Sequence, residues 1–229
     1  MSLVHPDNPA DRWRDIRHPP ALEPQLVERA RTVGTASIHE AAKRTGALPA
    51  AIKPVAASFR IAGPAFTVWG PPADNLWIHR ALALARPGDV LVAYVGGFYE
   101  AGYWGEILST AAVNARLAGL VIDACVRDGA LLEGVGFPVF ARGIAIQGTQ
   151  KDFGALGALN RPILVGNVVV HPGDLIVGDA DAVVSIPAAD AARVVELALA
   201  RERDEQRIME RLAAGETTLR VYGLEEERS

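Results

Sequence analysis

A single cysteine, Cys125, rules out an internal disulfide in this chain of 229 residues, and a reducing compartment is expected. No apolar run is long enough to span a bilayer, and the N-terminus, MSLVHPDNPADRWRDIRHPP, has no apolar core of the signal-peptide kind. A cytoplasmic protein without a membrane partner is the expectation. A clustered basic face is also missing: net charge is −4, with basic residues dispersed among acidic ones, which argues against nucleic acid as a partner. His5, His18, His39, His79 and His171 are scattered without ligand spacing, so they make no zinc centre. P-loop, GxSxG elbow and dinucleotide fingerprint are all lacking; GVGFPVFARG is glycine-rich but lacks the order strand, turn, helix. Asp179 and Asp181 in GDADA sit in a loop too short for an EF-hand, and a capped turn is expected there.

What is present suits an ordinary globular protein, half hydrophobic and 22% charged. A chain of this length buries roughly 70–75% of the surface its unfolded form exposes, so the core needs no staples. Residues 1–23, rich in Pro, Asp and Arg, read as an arm that packs on the body or on a neighbour. Residues 24–188 carry a mixed helix and strand pattern, and 189–229 a long helix and tail with a charged middle, RERDEQR, suited to solvent or a subunit contact. Mixed elements between terminal helices predict an α/β or α+β layered fold.

Within the body, Ser37 and Glu40 have capping-box spacing at the start of a second helix. The runs 59–62 and 65–69 flank Gly63-Pro64 and predict two strands about a turn. Pro-Gly-Asp followed by an apolar strand occurs at 87–92 and again at 172–177, as an internal duplication or a recurrent turn. Between a strand at 90–95 and the next helix lies GGFYEAGYWG, an aperiodic loop of the kind that holds ligands. The pattern then predicts a helix from Glu106 through Leu117 stopped by Gly119, and one continuous strand over 120–126 with Cys125 a buried thiol. PVFARGI, 138–144, reads as another strand.

Arg127-Asp128 ends the 120–126 run. Adjacent opposite charges are commonplace as surface pairs. Here, however, a helix start at Gly105-Glu106-Ile107-Leu108 lies one helix and one strand upstream, and such starts bind anions through unpaired N–H groups. Ends of neighbouring strands share a sheet edge in α/β units. One aspartate can hold a hard cation such as Mg²⁺, which keeps waters and takes substrate oxygens, while an arginine clamps a carboxylate or oxyanion.

Five segments in order, GTASIHEAAKRTGALP (34–49), GYWGEIL (102–108), GLVIDACVRD (119–128), GFPVFARG (136–143) and HPGDLIVGDAD (171–181), resemble the class II pyruvate aldolases. These act on 4-hydroxy-4-methyl-2-oxoglutarate and 4-carboxy-4-hydroxy-2-oxoadipate; their superfamily includes the regulator of ribonuclease E activity. The resemblance implies an α-β-β-α fold around a barrel-like sheet, assembled as a homotrimer or homohexamer, with Mg²⁺ or Mn²⁺ between subunits. It implies Asp128 as metal ligand, Arg127 as substrate-binding and catalytic arginine, and Gly105, Glu106, Ile107 and Leu108 as main-chain donors to the pyruvate carboxylate. Glu106 stands where many relatives carry Asp and would hold metal-bound water. Glu40 and Glu205, the latter preferred over Glu202, look like acids supplied by a neighbouring subunit. Ala182 stands where relatives commonly have Gly. The implied activity is retro-aldol cleavage to pyruvate and a second oxo acid, with oxaloacetate decarboxylation beside it. The alternative is an interaction protein on the same scaffold that binds an RNA-degrading enzyme without chemistry.

Overall fold

The computed structural model describes residues 13–225. Of the arm expected over 1–23, residues 1–12 therefore lie outside the described residues, as do the last four of the tail. The chain opens with α1 (Pro24–Thr32), α2 (Thr35–Ala41), β1 (Lys53–Pro54), β2 (Ile61–Trp69), α3 (Leu76–Leu82) and β3 (Val90–Tyr94). Its middle forms α4 (Glu106–Asn114), β4 (Gly119–Ile122), β5 (Cys125–Val126), α5 (Gly129–Val135), β6 (Val139–Ala141) and β7 (Gly143–Ile144). β8 (Ala158–Leu159), β9 (Ile163–Val165), β10 (Val168–Val170), β11 (Leu175–Gly178) and β12 (Val183–Ile186) follow, and α6 (Ala191–Ala213) and α7 (Thr218–Val221) close it.

The main sheet runs β1-β6-β4-β3-β2-β11-β12, with β8 also on β2. Its centre is parallel, from β6 through β4 and β3 to β2, and its flanks are antiparallel. This is the α/β layered architecture around a curled, barrel-like sheet that the sequence predicts. β3 and β4 carry unbroken apolar runs because both their faces are covered. At β11 and β12 period two divides the work. Leu175, Val177 and Val184 face a core with Ala30, Ile38 and Val195 of α1, α2 and α6, whereas Ile176 and Val183 join the larger core around β3 and β4. Trp13 and Ile16 of the arm pack on that larger core, and Arg80 lies over the rings of Trp13 and Trp77.

Several local expectations fail. Gly63-Pro64 is not a turn: β2 runs straight through it, pairing antiparallel with β11 up to Pro64 and parallel with β3 from Ala65. A strand that changes partners tolerates a residue without an N–H at the exchange point. The helix expected to reach Leu117 ends at Asn114 and closes through Arg116 in the left-handed region (φ 57°); Gly119 begins β4 instead of stopping the helix. Neither 120–126 nor 138–144 is one strand. Both break at the same level, at Asp123-Ala124 and Arg142, where the Arg142 Nε–H donates to Asp123 Oδ1 (2.7 Å) and the Arg142 N–H to the Ala124 carbonyl (2.9 Å).

The Ser37 capping box does not form either. α2 begins at Thr35, so Ser37 lies inside it, and the cap comes from 144 residues away. The Asp179 carboxylate accepts the Thr35 N–H (2.8 Å), the Thr35 hydroxyl (2.7 Å) and the Asp181 N–H (3.0 Å), which bears out the capped turn expected at GDADA. A long-range carboxylate thus does the work that the local motif was expected to do. Glu202 adds a second tie, accepting the Gly34 N–H at 2.8 Å.

Burial alone pushes the Asp179 carboxyl up, but the Thr35 N–H and hydroxyl with the Asp181 and Ala182 N–H groups outweigh it and hold it below its usual value. A carboxyl lowered on folding stabilises above its unfolded value of about 3.9 and loses that contribution as pH falls through the folded value. Asp179→Asn therefore lowers stability at pH 7 by about 1–3 kcal/mol in urea denaturation, with a smaller deficit near pH 3. A deficit that stays constant with pH would rule out the ionised carboxylate as its cause.

Candidate active site

The double break in the strands builds the site. Beyond Asp123 and Arg142 the chain leaves the main sheet, and β5 pairs with β7 in a separate two-stranded ribbon. Asp123 is 2% exposed, and its ion pair with Arg142 staples the point where both strands turn away. The ribbon delivers Arg127 and Asp128 to one spot. Cys125, expected to be a buried thiol, is half-buried at the ribbon's start. Burial raises its pKa first, with Glu100 adding and Arg142 opposing, so it stays a thiol at neutral pH.

Loop 96–105 supplies the opposite wall. Its aromatic residues are anchors: Tyr103 and Trp104 are buried, the Tyr103 hydroxyl donates to the Phe98 carbonyl (2.9 Å), and the Trp104 Nε1–H donates to Ser109 Oγ (2.7 Å). The glycines make the surface. A Cβ at Gly102 would lie 2.7 Å from the Ala145 carbonyl oxygen and 2.9 Å from Arg127 Cβ, and one at Gly105 would collide with Asp128 Oδ2. With no Cβ there, the Glu106 N–H reaches Asp128 Oδ2 (3.1 Å). The intrahelical ladder starts at the Ser109 N–H, bonded to the Gly105 carbonyl (3.0 Å), which leaves the Ile107 and Leu108 N–H groups ahead of it without helical partners. Asp128 itself lies in the left-handed region (φ 59°), which Asp adopts more readily than most residues.

Gly105, Ile107, Leu108, Arg127 and Asp128 line one cleft of about 280 Å³. Other lining residues join them, among them Asn75, His79 and Lys151, which sequence reasoning did not select. Lys151 comes from the connection between β7 and β8. It is held there by reciprocal bonds, Gln150 N–H to the Ala73 carbonyl (2.7 Å), Asn75 N–H to the Gln150 carbonyl (3.1 Å) and Asp152 N–H to Asp74 Oδ2 (2.5 Å). No signal short of the fold marks it. Burial lowers the His79 pKa, the Lys151 charge lowers it further, and Asp74 opposes both, so His79 is neutral at pH 7. The cleft's cations are thus Arg127 and Lys151, and Arg127 Nε stands 3.8 Å from Asp128 Oδ2.

The other acids lie elsewhere in this chain. The Glu106 side chain is exposed and outside the cleft lining; Glu40 pairs with Arg44 (3.1 Å) and Glu205 with Arg201 (2.8 Å). Among the described residues no group of three or more His, Cys, Asp or Glu is placed to hold a metal. A small hard cation does not need one, because it keeps its waters. The cleft offers the Asp128 carboxylate, and Asn75 brings an amide oxygen that is buried and has no hydrogen-bond partner, while its Nδ2–H donates to the Tyr103 carbonyl (3.0 Å). A carboxylate oxygen is a hard donor and fits Mg²⁺ or Mn²⁺ better than a soft metal.

A family model described as RraA-like, Aldolase/RraA, matches residues 35–185. A protein of Halalkalibacterium halodurans provisionally named 4-hydroxy-4-methyl-2-oxoglutarate aldolase is 32% identical over 200 residues, 87% of this chain and 94% of that protein. Among solved structures, an uncharacterized protein from Pseudomonas syringae pv. tomato superposes with a TM-score of 0.80 at 27% identity, covering 92% of this chain and 99% of its own. Streptomyces coelicolor RraAS2, described as an unusual member of the RNase ES inhibitor RraA protein family, superposes with a TM-score of 0.73 at 26% identity, covering 83% and 99%.

The same substitution separates site glycines from ordinary ones. Gly105→Ala forces the Asp128 carboxylate aside and destabilises by about 1–3 kcal/mol, whereas Gly134→Ala, in α5 with nothing within 4 Å of its Cβ position, stabilises by up to about 1 kcal/mol. Urea denaturation reads both signs. Removing a neighbouring positive charge favours the imidazolium, so Lys151→Met raises the His79 pKa; an NMR titration of the ring protons checks the direction.

Proposed function

The chain belongs to the RraA-like family, Aldolase/RraA, and from that premise we propose that it is a metal-dependent carbon–carbon lyase. It cleaves 4-hydroxy-4-methyl-2-oxoglutarate or 4-carboxy-4-hydroxy-2-oxoadipate to pyruvate and a second oxo acid, and decarboxylates oxaloacetate as a side activity. The observation that carries this reading is the meeting of Asp128, Arg127, Lys151 and the start of α4 in one cleft. The similarity to a relative provisionally named for the first of these substrates supports it.

Cleavage removes the proton of the C4 hydroxyl, breaks the C3–C4 bond and leaves the enolate of pyruvate, which takes a proton at C3. A divalent cation held by Asp128 supplies Lewis-acid stabilisation of the oxo acid's oxygens when bound. The Ile107 and Leu108 N–H groups at the start of α4 receive the pyruvate carboxylate. Arg127 stabilises the oxyanion formed as the hydroxyl loses its proton. Lys151 is the second cation and attracts the carboxylate of the departing half, which favours di- and tricarboxylate substrates over simple hydroxy ketones. Asn75 Oδ1 accepts a hydrogen bond from substrate hydroxyl or water.

Glu106 orients water at the cleft mouth. Glu40 and Glu205 do not line this chain's own cleft, so in this reading they reach it from a second copy in a homotrimer or homohexamer. Exposed Ile107, Leu131, Ile144 and Ile146 around the same region support a covering subunit, since scattered polar contacts alone would not require so much apolar surface. The competing reading is a protein that binds an RNA-processing enzyme, as the description of the Streptomyces relative suggests for that relative.

Pyruvate release from oxaloacetate, with Mg²⁺ or Mn²⁺ and with a chelator control, separates the two. Metal-dependent turnover is expected. Arg127→Ala loses about 10²–10³ in kcat, and Asp128→Ala loses metal dependence and nearly all activity. Near-wild-type turnover in either variant sinks these roles, and no turnover on oxaloacetate or either hydroxy oxo acid leaves the binding reading.

A further inference from the structure

His79 lines the Asp128 cleft, and among the described residues neither nitrogen of its ring makes a hydrogen bond. The residue is half-buried, and its ring nitrogens are not among the partnerless polar atoms closed off from solvent. The imidazole is thus open and not tied into local structure. Its backbone, by contrast, is fixed. The His79 N–H donates to the Asn75 carbonyl (3.2 Å), so the two side chains stand one turn apart on the face of α3 that borders the cleft.

The hydroxyl proton lost on carbon–carbon cleavage needs an acceptor, and the other groups near the cleft are committed. Asp74 uses one oxygen to accept the Leu76 N–H (2.8 Å) and the other to accept the Asp152 N–H (2.5 Å). The Tyr103 hydroxyl donates to the Phe98 carbonyl (2.9 Å) and accepts the Ala73 N–H (2.7 Å). Asp128 is held by the Glu106 N–H and is the carboxylate available to a cation. Glu106, Glu40 and Glu205 do not line the cleft in this chain. Arg127 and Lys151 line it as cations and have no lone pair to offer. The imidazole remains. Burial and then the Lys151 charge keep it neutral at pH 7 against the opposing pull of Asp74, so it can accept a proton.

We propose that His79 is the proton carrier of the lyase reaction: a ring nitrogen takes the C4 hydroxyl proton as the C3–C4 bond breaks and returns it to C3 of the enolate. This role rests on the aldolase reading. The hydroxyl oxygen becomes the carbonyl of the departing oxo acid, the electron pair of the C3–C4 bond becomes the enolate, and the proton on the imidazolium becomes a methyl hydrogen of pyruvate. No net proton comes from solvent. The Lys151 charge makes the imidazolium a stronger acid, which favours the second half of the transfer. Asn75 Oδ1, one turn away, is left to accept from water. Oxaloacetate has no C4 hydroxyl; its C3–C4 bond breaks with loss of CO₂ and needs the enolate stabilised but no proton removed. The demand on His79 is therefore much greater in aldol cleavage than in decarboxylation.

Steady-state kinetics of His79→Asn and His79→Gln with Mg²⁺ test this on oxaloacetate and on the better of the two hydroxy oxo acids. Both variants melt with the wild type, because the ring has no hydrogen bond to lose. On the hydroxy oxo acid kcat falls about 10²–10⁴-fold with KM little changed. Decarboxylation falls far less, so the ratio of the two activities drops about tenfold or more. Proton NMR in D₂O reads the same carrier in reverse: the wild type exchanges the methyl hydrogens of pyruvate, and the variants exchange them more slowly. Parallel loss of both activities, undiminished aldol cleavage, or wild-type exchange in the variants overturns the role of His79 and leaves the aldolase reading standing. A wild type that turns over none of the three substrates removes the aldolase reading and the proton carrier with it.

Discussion

Backbone and side chain meet at Gly105 with no room for a methyl group between them, and the cleft is organised around that contact. Because the chain can pass so close, the carboxylate of Asp128 caps the start of α4 through the Glu106 N–H while Asp128 stands, in sequence, at the start of α5. The carboxylate is thereby fixed against α4, while the main-chain carbonyl of the same residue accepts the Leu131 N–H (2.8 Å) in α5. The contact also keeps Arg127 against the same wall, its backbone N–H donating to the Trp104 carbonyl (2.8 Å). Loosening the approach would let the acid turn toward Arg127, only 3.8 Å away, and the two charges would neutralise each other instead of facing the cleft.

Such a contact needs anchors on both sides, and the fold provides them from different parts of the chain. On one side the buried rings of Tyr103 and Trp104 hold the loop down, with Trp104 stacked on Phe137 at 5.7 Å. On the other, the Asp123–Arg142 pair turns two neighbouring strands out of the main sheet at the same level. A buried ion pair is an uncertain source of stability but a good source of geometry, since leaving either partner alone in the core is strongly unfavourable. Here it sets where β4 and β6 stop and the ribbon that bears Arg127-Asp128 begins.

The two ends of the parallel strands have taken on different characters. After the strands lies the polar cleft with its row of N–H groups, carboxylate and two cations; before them lies a cavity walled largely by prolines and apolar side chains. The Pro-Gly-Asp turns that repeat in the sequence serve this second end. Asp89 and Asp174 each accept an N–H from three residues earlier, and burial raises the pKa of each against those bonds. Both turns feed apolar strands into the sheet, and their physical use is the same at both places.

Much could be read without coordinates, where the chemistry is local. Period and composition determined the layered α/β plan, the central apolar strands and the long C-terminal helix. The helix start at Gly105 and the Arg127-Asp128 pair could be singled out as candidates, since a helix start and an adjacent ion pair are features of contiguous residues. Tertiary pairing decided the rest. Ser37 lost its cap to Asp179, Pro64 was absorbed into a strand that exchanges partners, and the 120–126 run was cut by a partner nineteen residues on. Lys151 and Asn75 reached the cleft through hydrogen bonds between loops more than seventy residues apart. Side chains brought together over such distances leave no period or spacing in the sequence, because their proximity is a property of the packed sheet and not of the chain.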